Sequence, residues 1–185
     1  MNLSDYCVVV DDALHPSLCD QTVELYHNNT QLHERFDNNK IPNFTQFNFT
    51  RNMKVNEELH GHLVNSAMSA IKYYKFKVPD SNYFPAKYGF EEFRIKHYTN
   101  DGIDQFDTHV DSVSMQSCKR FLVFFWYLND VNEGGETEFT NIGLKVSVKK
   151  GRLIMFPPFW NFPHKGHPTV SHEKFLLSSY LNYIP

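Results

Sequence analysis

The segment His109-Val110-Asp111 offers one imidazole and one carboxylate to a common partner. Residues two apart on an extended chain point to the same side, so both side chains can reach a single cation. The same spacing is frequent by chance and also suits a polar strand end. The pair therefore indicates a metal site only if a third ligand lies elsewhere in the chain.

A histidine-rich segment near the C-terminus supplies candidates for the third ligand. The run FPHKGHPTVSHEKF contains His164, His167 and His172, and any of them could complete a set of two histidines and one carboxylate. This set is the facial triad that binds Fe(II) and leaves coordination positions open for substrate and oxygen. Two neutral imidazoles and one carboxylate leave a net positive charge on a divalent metal. The residues therefore favour a second, anionic chelator.

A fixed cation follows the histidines. Lys174 lies ten residues after His164, within the strand-like run EKFLLSSYL. A lysine that points into an apolar, aromatic interior is costly unless an anion meets it. A dicarboxylate bound to the metal at one end could offer its far carboxylate to Lys174.

The elements that must position these residues are mainly strands. From about residue 90 the chain contains aromatic and β-branched runs separated by turn signals: FEEFRIKHY, KRFLVFFWYLND, LKVSVKKGRLIMFP and EKFLLSSYLNYIP. Before them, residues 6–10 predict a short strand, and residues 29–52 predict a loop or an edge hairpin. One helix is predicted from Pro16 to Asn28-Asn29, and another over residues 56–75 with Asn56 as N-cap. The order favours an α+β, mainly β fold: a sheet barrel or sandwich with the helices packed outside.

Composition narrows the class of protein. The 185 residues fit one domain, which we divide into a helical support (residues 1–89) and a β core (90–185). The formal net charge of −3 argues against nucleic acid as a partner, and no apolar run predicts a membrane span. Three scattered cysteines and no basic-apolar leader favour a reducing, cytoplasmic location.

Taken in order, the motifs of residues 90–183 resemble those of the 2-oxoglutarate- and Fe(II)-dependent dioxygenases, in the prolyl-4-hydroxylase-like branch. The N-terminal VVVDDALHPSLCD also resembles the entry to that domain, whereas residues 28–55 and 76–88 match nothing. The resemblance implies a double-stranded β-helix, or jelly roll. The segments that carry it are RIKHY, HVD, FFWYLND, EGGETEF, KVSVKKGRLIMFP and the distal His-x-Gly-x-Pro followed by Lys174.

The same resemblance implies roles for individual residues. His109, Asp111 and His164 would be the catalytic metal ligands, because Gly166, Pro168 and Lys174 have the family's offsets from His164. Lys174 would bind the C5 carboxylate of 2-oxoglutarate, and Tyr127 and Tyr98 would contact this cosubstrate. The implied cofactors are Fe(II), 2-oxoglutarate and O2, with ascorbate as an optional reductant.

The implied activity is hydroxylation of an unactivated C–H bond. Halogenating relatives lack the carboxylate ligand, and this chain has Asp111. The resemblance favours a prolyl residue in a peptide or protein as substrate, with Trp126 and Trp160 as apolar faces for the ring and residues 28–55 as one wall of a groove. A small amino acid or other metabolite is an alternative substrate, and a non-catalytic, cupin-like metal-binding module is an alternative class. The compact length fits a microbial or viral intracellular enzyme.

Overall fold

Two antiparallel sheets form the body of the protein, which a computed structural model describes over residues 1–37 and 42–185. The strands of these residues, numbered in chain order, are β1 (Val8–Val10), β2 (His33–Asp37), β3 (Asn43–Asn48), β4 (Tyr88–Phe90), β5 (Arg94–Tyr98), β6 (Phe106–His109), β7 (Arg120–Tyr127), β8 (Thr137–Phe139), β9 (Leu144–Val146), β10 (Leu153–Phe156), β11 (His164–Gly166) and β12 (Lys174–Tyr183). Among these, the larger sheet has the order β1–β10–β7–β12–β5–β3–β2, and β4 pairs with β12. The smaller sheet has the order β6–β11–β8–β9.

The larger sheet is buried on both faces. Along β7, Phe124 and Trp126 belong to the core shared with the helices, whereas Phe125 and Tyr127 belong to the core shared with the smaller sheet. This division follows from the period of two residues along a strand. The face directed at the smaller sheet contains the candidate site.

Two α-helices cover the outer face of the larger sheet in the described chain: α1 (Pro16–His27) and α2 (Glu57–Lys77). Pro16 occupies the first turn of α1, and the Asn56 side chain caps α2 by accepting a hydrogen bond from the Leu59 amide at 3.0 Å. Both helices and their starts agree with the sequence prediction. The mainly β fold with N-terminal helices outside it is confirmed.

Within residues 28–55, which match no motif of the family, two strands form a hairpin at the edge of the larger sheet. Strands β2 and β3 pair with each other, and β3 pairs with β5, so the hairpin extends the larger sheet beside the site. Residues 38–41, within the predicted loop or hairpin, lie outside the described residues. The division at residues 89 and 90 stays a prediction, but the first part of the chain is more than a helical support, because it adds β1 to β4 to the larger sheet.

None of the helices in the described chain combines the length and the apolar character needed to cross a bilayer.

Candidate metal centre

Three side chains with metal-ligating atoms meet between the sheets. His109 ends β6 and pairs directly with His164 at the start of β11, and Asp111 follows β6 by two residues. Asp111 Oδ1 lies 3.8 Å from His109 Nε2, and Asp111 Oδ2 lies 3.4 Å from His164 Nε2. One potential ligand atom from each residue lies within 4.8 Å of the others. The strand pairing therefore joins the two motifs that lie far apart in the sequence.

The donor atoms of this cluster suit a divalent metal ion. Asp111 Oδ2 and His164 Nε2 are buried and have no hydrogen-bond partner among residues 1–37 and 42–185. The Nδ1 atoms of His109 and His164 lie 2.8 Å and 3.1 Å from the carbonyl oxygens of Asp107 and Phe162. If each Nδ1–H donates to its carbonyl, each Nε2 presents a lone pair towards the cluster. Buried acceptors without donors are costly, and a cation satisfies them.

Burial also keeps His109 in the state that binds metals. It lowers the pKa of the imidazole to about 4, and the neighbouring His164 contributes to this lowering. A neutral imidazole has a free lone pair for a metal ion. Phe106 stacks on His109 with the ring centres 3.7 Å apart, and His164 is surrounded by phenylalanine rings.

A tyrosine and an arginine fix the orientation of Asp111 by hydrogen bonds. The hydroxyl of Tyr180, on β12, donates a hydrogen bond to Asp111 Oδ1 at 3.0 Å. Arg120 donates to the Asp111 carbonyl oxygen at 3.0 Å, and its guanidinium lies 3.9 Å from the centre of the Tyr180 ring. These contacts leave Asp111 Oδ2 directed at His164. Neither Tyr180 nor Arg120 was identified from the sequence.

We expect Tyr180→Phe to weaken divalent-metal binding by roughly 10–100-fold, the usual effect of removing a group that orients a ligand. The substitution removes only the hydroxyl that holds Asp111 Oδ1. Anaerobic calorimetric titration with Fe(II) measures the effect. Tyr183→Phe, at the exposed end of the same strand, is the control, and equal affinities in the two variants would contradict the role of Tyr180.

The structure separates His164 from the two alternative histidines. His167 Nε2 lies 2.6 Å from Glu138 Oε2, and His172 is exposed in the turn before β12. In the described chain, the metal-ligating group that contains His109 and Asp111 is completed by His164.

A narrow cavity extends from the two histidines to Lys174. Lys174 is 3% exposed, and its ammonium donates a hydrogen bond to the Gly135 carbonyl at 2.9 Å. Burial lowers the pKa of Lys174 to about 7, and no carboxylate forms an ion pair with it in residues 1–37 and 42–185. The cavity thus has metal-ligating atoms at one end and a cation at the other. Its lining residues are Lys96, Tyr98, Phe106, His109, Phe125, Thr137, His164, Gly166, Lys174 and Leu176.

Glycine at residues 134 and 135 allows the backbone to approach this cavity. Gly134 and Gly135 have φ angles of +79° and +75°, which L side chains rarely adopt. A Cβ on Gly134 would lie 2.5 Å from the Pro168 carbonyl oxygen, and one on Gly135 would lie 3.5 Å from Lys174 Cδ. Glycine at both positions therefore permits the backbone conformation that brings this segment to the cavity.

The two predicted cosubstrate tyrosines differ in position. Tyr98 is paired with Lys174 across β5 and β12, lines the cavity, and has its ring centre 4.3 Å from the Lys174 ammonium. The hydroxyl of Tyr127 donates a hydrogen bond to Thr137 Oγ1 at 2.7 Å, and Thr137 lines the cavity. Direct contact of Tyr127 with a cosubstrate stays a prediction. The structure adds Thr137 between Tyr127 and the cavity.

A second buried lysine was missed by the sequence analysis. Lys96 lies two residues before Tyr98 on β5, so it shares the inward face of the strand. It is 9% exposed, and burial lowers its pKa to about 8. The alternation along RIKHY could have predicted the burial of Lys96. Residues two apart on a strand share a face, so an inward Tyr98 implies an inward Lys96.

An open groove of about 570 Å³ lies on the other side of His109 and Asp111. Phe36, Phe44 and Gln46 of the β2–β3 hairpin line it, which supports the expected wall in residues 28–55. The expectation for the tryptophans was wrong. Trp126 is 1% exposed in the core beneath the helices, because strand alternation directs it away from the site, and Trp160 is 84% exposed outside the groove lining.

Comparisons with known proteins agree with this geometry. Residues 93–182 match the family model of the 2OG-Fe(II) oxygenase superfamily. A curated relative, a probable prolyl 4-hydroxylase 9 from Arabidopsis thaliana, is 28% identical over 141 residues, which cover 60% of this chain and 47% of that protein. The chain thus spans about half the length of this relative.

Solved structures share the fold. A viral collagen prolyl hydroxylase from Paramecium Bursaria Chlorella virus-1, in complex with 2OG, has a TM-score of 0.70 at 19% identity, over 97% of each chain. A Pseudomonas putida prolyl-4-hydroxylase has a TM-score of 0.70 at 16% identity, over 97% of this chain and 94% of that one. A Trichoplax adhaerens prolyl hydroxylase, in complex with a hypoxia inducible factor oxygen degradation domain peptide fragment, has a TM-score of 0.71 at 14% identity, over 97% of this chain and 84% of that one.

Proposed function

We propose that this chain, whose residues 93–182 match the family model of the 2OG-Fe(II) oxygenase superfamily, is an oxygenase that hydroxylates an unactivated C–H bond of a prolyl residue in a peptide or protein. The observation that carries the proposal is the position of the His109–Asp111–His164 cluster between two spaces. One is the narrow cavity that ends at Lys174, and the other is the open groove. A cosubstrate and a substrate can therefore approach one metal ion from different sides.

The cluster would hold Fe(II) through His109 Nε2, His164 Nε2 and the Asp111 carboxylate. When bound with 2-oxoglutarate and O2, the metal supplies oxidative decarboxylation of the cosubstrate coupled to C–H hydroxylation. Tyr180 and Arg120 keep the carboxylate oriented, and the carbonyls of Asp107 and Phe162 keep the imidazoles oriented. The protein thereby supplies a preformed ligand geometry, which reduces the reorganisation needed on binding.

Lys174 would bind the far carboxylate of 2-oxoglutarate. Its ammonium is buried, faces the cavity that reaches the metal ligands, and forms no ion pair in the described chain. An anion at this point offsets the cost of burying the cation. Tyr98 would contact the cosubstrate from the opposite strand, and Tyr127 would act through the Thr137 hydroxyl that it orients.

Aromatic side chains would keep bulk water from the reacting atoms. Phe106 covers one face of His109, and Phe139 and Phe156 pack against His164. A low-dielectric surrounding strengthens the charge interactions that hold the anionic cosubstrate. It also limits side reactions in the absence of substrate.

A peptide substrate is supported by the open groove. A peptide backbone needs a site that is open to solvent, and the groove lined by the β2–β3 hairpin and by residues of the 113–117 segment meets this need. The Arabidopsis relative is a probable prolyl 4-hydroxylase, and the Trichoplax enzyme was solved with a peptide fragment. The proposal includes the cytoplasmic location, which is supported by three free cysteines, with Cys118 exposed.

We expect a proline-containing peptide to raise succinate formation above the uncoupled rate in the presence of Fe(II), 2-oxoglutarate and ascorbate. The peptide should gain one oxygen atom, because substrate hydroxylation consumes the oxidising equivalents that are otherwise lost. Mass spectrometry on a peptide panel, with matched peptides in which alanine replaces proline, measures both effects.

Two results would contradict this proposal in different ways. Oxygen incorporation into free proline or another small metabolite, with none into any peptide, would replace the peptide substrate by a small molecule. If the wild-type protein releases no more succinate than Asp111→Ala does, the chain is a metal-binding module without catalytic activity.

A further inference from the structure

The groove beside the metal cluster contains a buried cation without a counterion. Lys96 is 9% exposed and forms no hydrogen bond or contact ion pair with residues 1–37 and 42–185, although the more distant carboxylates of Asp111 and Glu91 attract it. Residues 38–41 contain no acidic residue. The ammonium lies 5.1 Å, 5.8 Å and 5.9 Å from the ring centres of Phe44, Phe106 and Phe125. These rings attract a cation but carry no net charge to neutralise it.

The other cations of the groove are neutralised. Arg94 forms ion pairs with Glu91 at 3.0 Å and with Glu92. Arg120 binds Glu91 with two hydrogen bonds of 2.6 Å and 2.7 Å. Among the cations that line the groove in the described chain, Lys96 alone lacks a carboxylate partner.

The neighbouring polar groups also have partners. Gln46 lies directly opposite Lys96 on β3, and its amide donates a hydrogen bond to Glu34 at 2.7 Å. The Asp111 carboxylate belongs to the metal cluster, where a divalent ion would take up its charge. A dianionic cosubstrate would balance the remaining charge of that ion together with Lys174. The Lys96 charge would remain.

Lys96 also lies close to the place of reaction. It lines both the groove and the narrow cavity. Phe106, one of the three rings around the ammonium, stacks directly on His109. An anion that meets Lys96 would therefore sit beside the metal, on the side from which the groove opens.

Building on the proposed function, we propose that Lys96 binds a carboxylate of the substrate and is a specificity-determining residue. The carboxylate would lie next to the residue that is hydroxylated. It could come from the C-terminus of a chain that ends at that residue, or from an adjacent acidic side chain. Both sources present the same planar anion to the ammonium.

The test compares two probes that differ only in charge, N-acetyl-L-proline and N-acetyl-L-prolinamide. Each is titrated calorimetrically, without oxygen, into protein loaded with Fe(II) and 2-oxoglutarate. The wild-type protein should bind the carboxylate more tightly than the amide by on the order of 10–100-fold. Lys96→Met should abolish the preference, because it keeps the apolar stem without the charge. Lys96→Arg should retain most of it.

Matched controls show whether the preference depends on the Lys96 charge and on the proline ring. Lys72→Met removes a lysine on the exposed side of α2 and should leave the preference unchanged. N-acetyl-L-alanine and its amide lack the proline ring. The wild-type protein should still bind the carboxylate more tightly than the amide, so this pair tests Lys96 even if prolyl hydroxylation is not the activity. A peptide ending in proline and an amidated peptide with aspartate before proline distinguish the two carboxylate sources.

Three results would overturn the assignment of Lys96. The wild-type protein could show no preference for the carboxylate, including no binding of either probe. Lys96→Met, with an unchanged unfolding temperature, could keep the preference. Finally, Lys96→Met could weaken 2-oxoglutarate binding and spare the probes, which would make Lys96 part of the cosubstrate site.

Discussion

Replacing His109, Asp111 or His164 by alanine is expected to abolish Fe(II) binding and turnover while leaving the fold largely intact. Each residue supplies one of the three ligand atoms of the cluster, so a loss larger than the roughly 10–100-fold effect of an orienting group is expected. The fold should tolerate the changes, because each variant loses at most one side-chain hydrogen bond: that of Tyr180 to Asp111, or the Nδ1 contact of one histidine with a backbone carbonyl. Anaerobic titration, succinate release and thermal unfolding measure the three effects.

His167→Ala is the matched control for this set. His167 lies on the same segment as His164, but its ring contacts the partly exposed Glu138 and not the cluster. The pair contributes about 0–1 kcal/mol at such a position, so activity and stability should change little. Full activity of His164→Ala together with loss of activity in His167→Ala would show that the distal ligand is His167.

Lys174→Ala is expected to raise the 2-oxoglutarate requirement by roughly 10–100-fold, with little change in Fe(II) affinity. A charge-assisted hydrogen bond contributes about 1.5–3 kcal/mol, which corresponds to that range. The ammonium is at the end of the cavity away from the metal ligands, so iron binding does not depend on it. Calorimetric titration with 2-oxoglutarate, and succinate release as a function of its concentration, measure the effect.

The pH dependence of binding provides a signature of this contact. Burial lowers the pKa of Lys174 to about 7, so the free protein loses the lysine charge as the pH rises above 7. Binding of an anion then requires uptake of a proton, and 2-oxoglutarate affinity should fall with rising pH in the wild-type protein. Lys174→Arg keeps its charge over this range and should show a flatter profile.

Lys165→Ala tests whether any nearby lysine would act in the same way. Lys165 lies on β11 next to His164 but pairs with Glu138 outside the cavity. It should leave the 2-oxoglutarate requirement unchanged. An unchanged requirement in Lys174→Ala would refute the cosubstrate role of Lys174.

Much of the fold follows from local patterns in the sequence. The period of three and four residues in 57–77, with Asn56 as cap, is a local property of the chain and predicts α2 correctly. The aromatic runs predict β7 and β12 because strands buried on both faces need continuous apolar sequence. The His109 and Asp111 pair was visible for the same reason, since two residues on one extended segment share a side.

Strand alternation could have revealed more of the site. Lys96 precedes Tyr98 by two residues, and Tyr180 follows Lys174 by six, so each shares the inward face of its strand. Both were missed because a lysine or tyrosine in a strand is also compatible with a solvated face. The alternation relates residues on a strand to one another but does not say which face is inside.

The sequence by itself determined the mainly β fold, the candidate ligands and the presence of an unusual lysine after the distal histidines. The tertiary structure decided which residues meet. It pairs His164 with His109 across β11 and β6. The His167 ring contacts Glu138 instead, and Trp126 packs in the core shared with the helices. It also places Lys96 beside the metal cluster, with no ion-pair partner in the described chain. The physical reason is that strand register and sheet stacking involve residues far apart in the chain, and local sequence patterns do not encode such contacts.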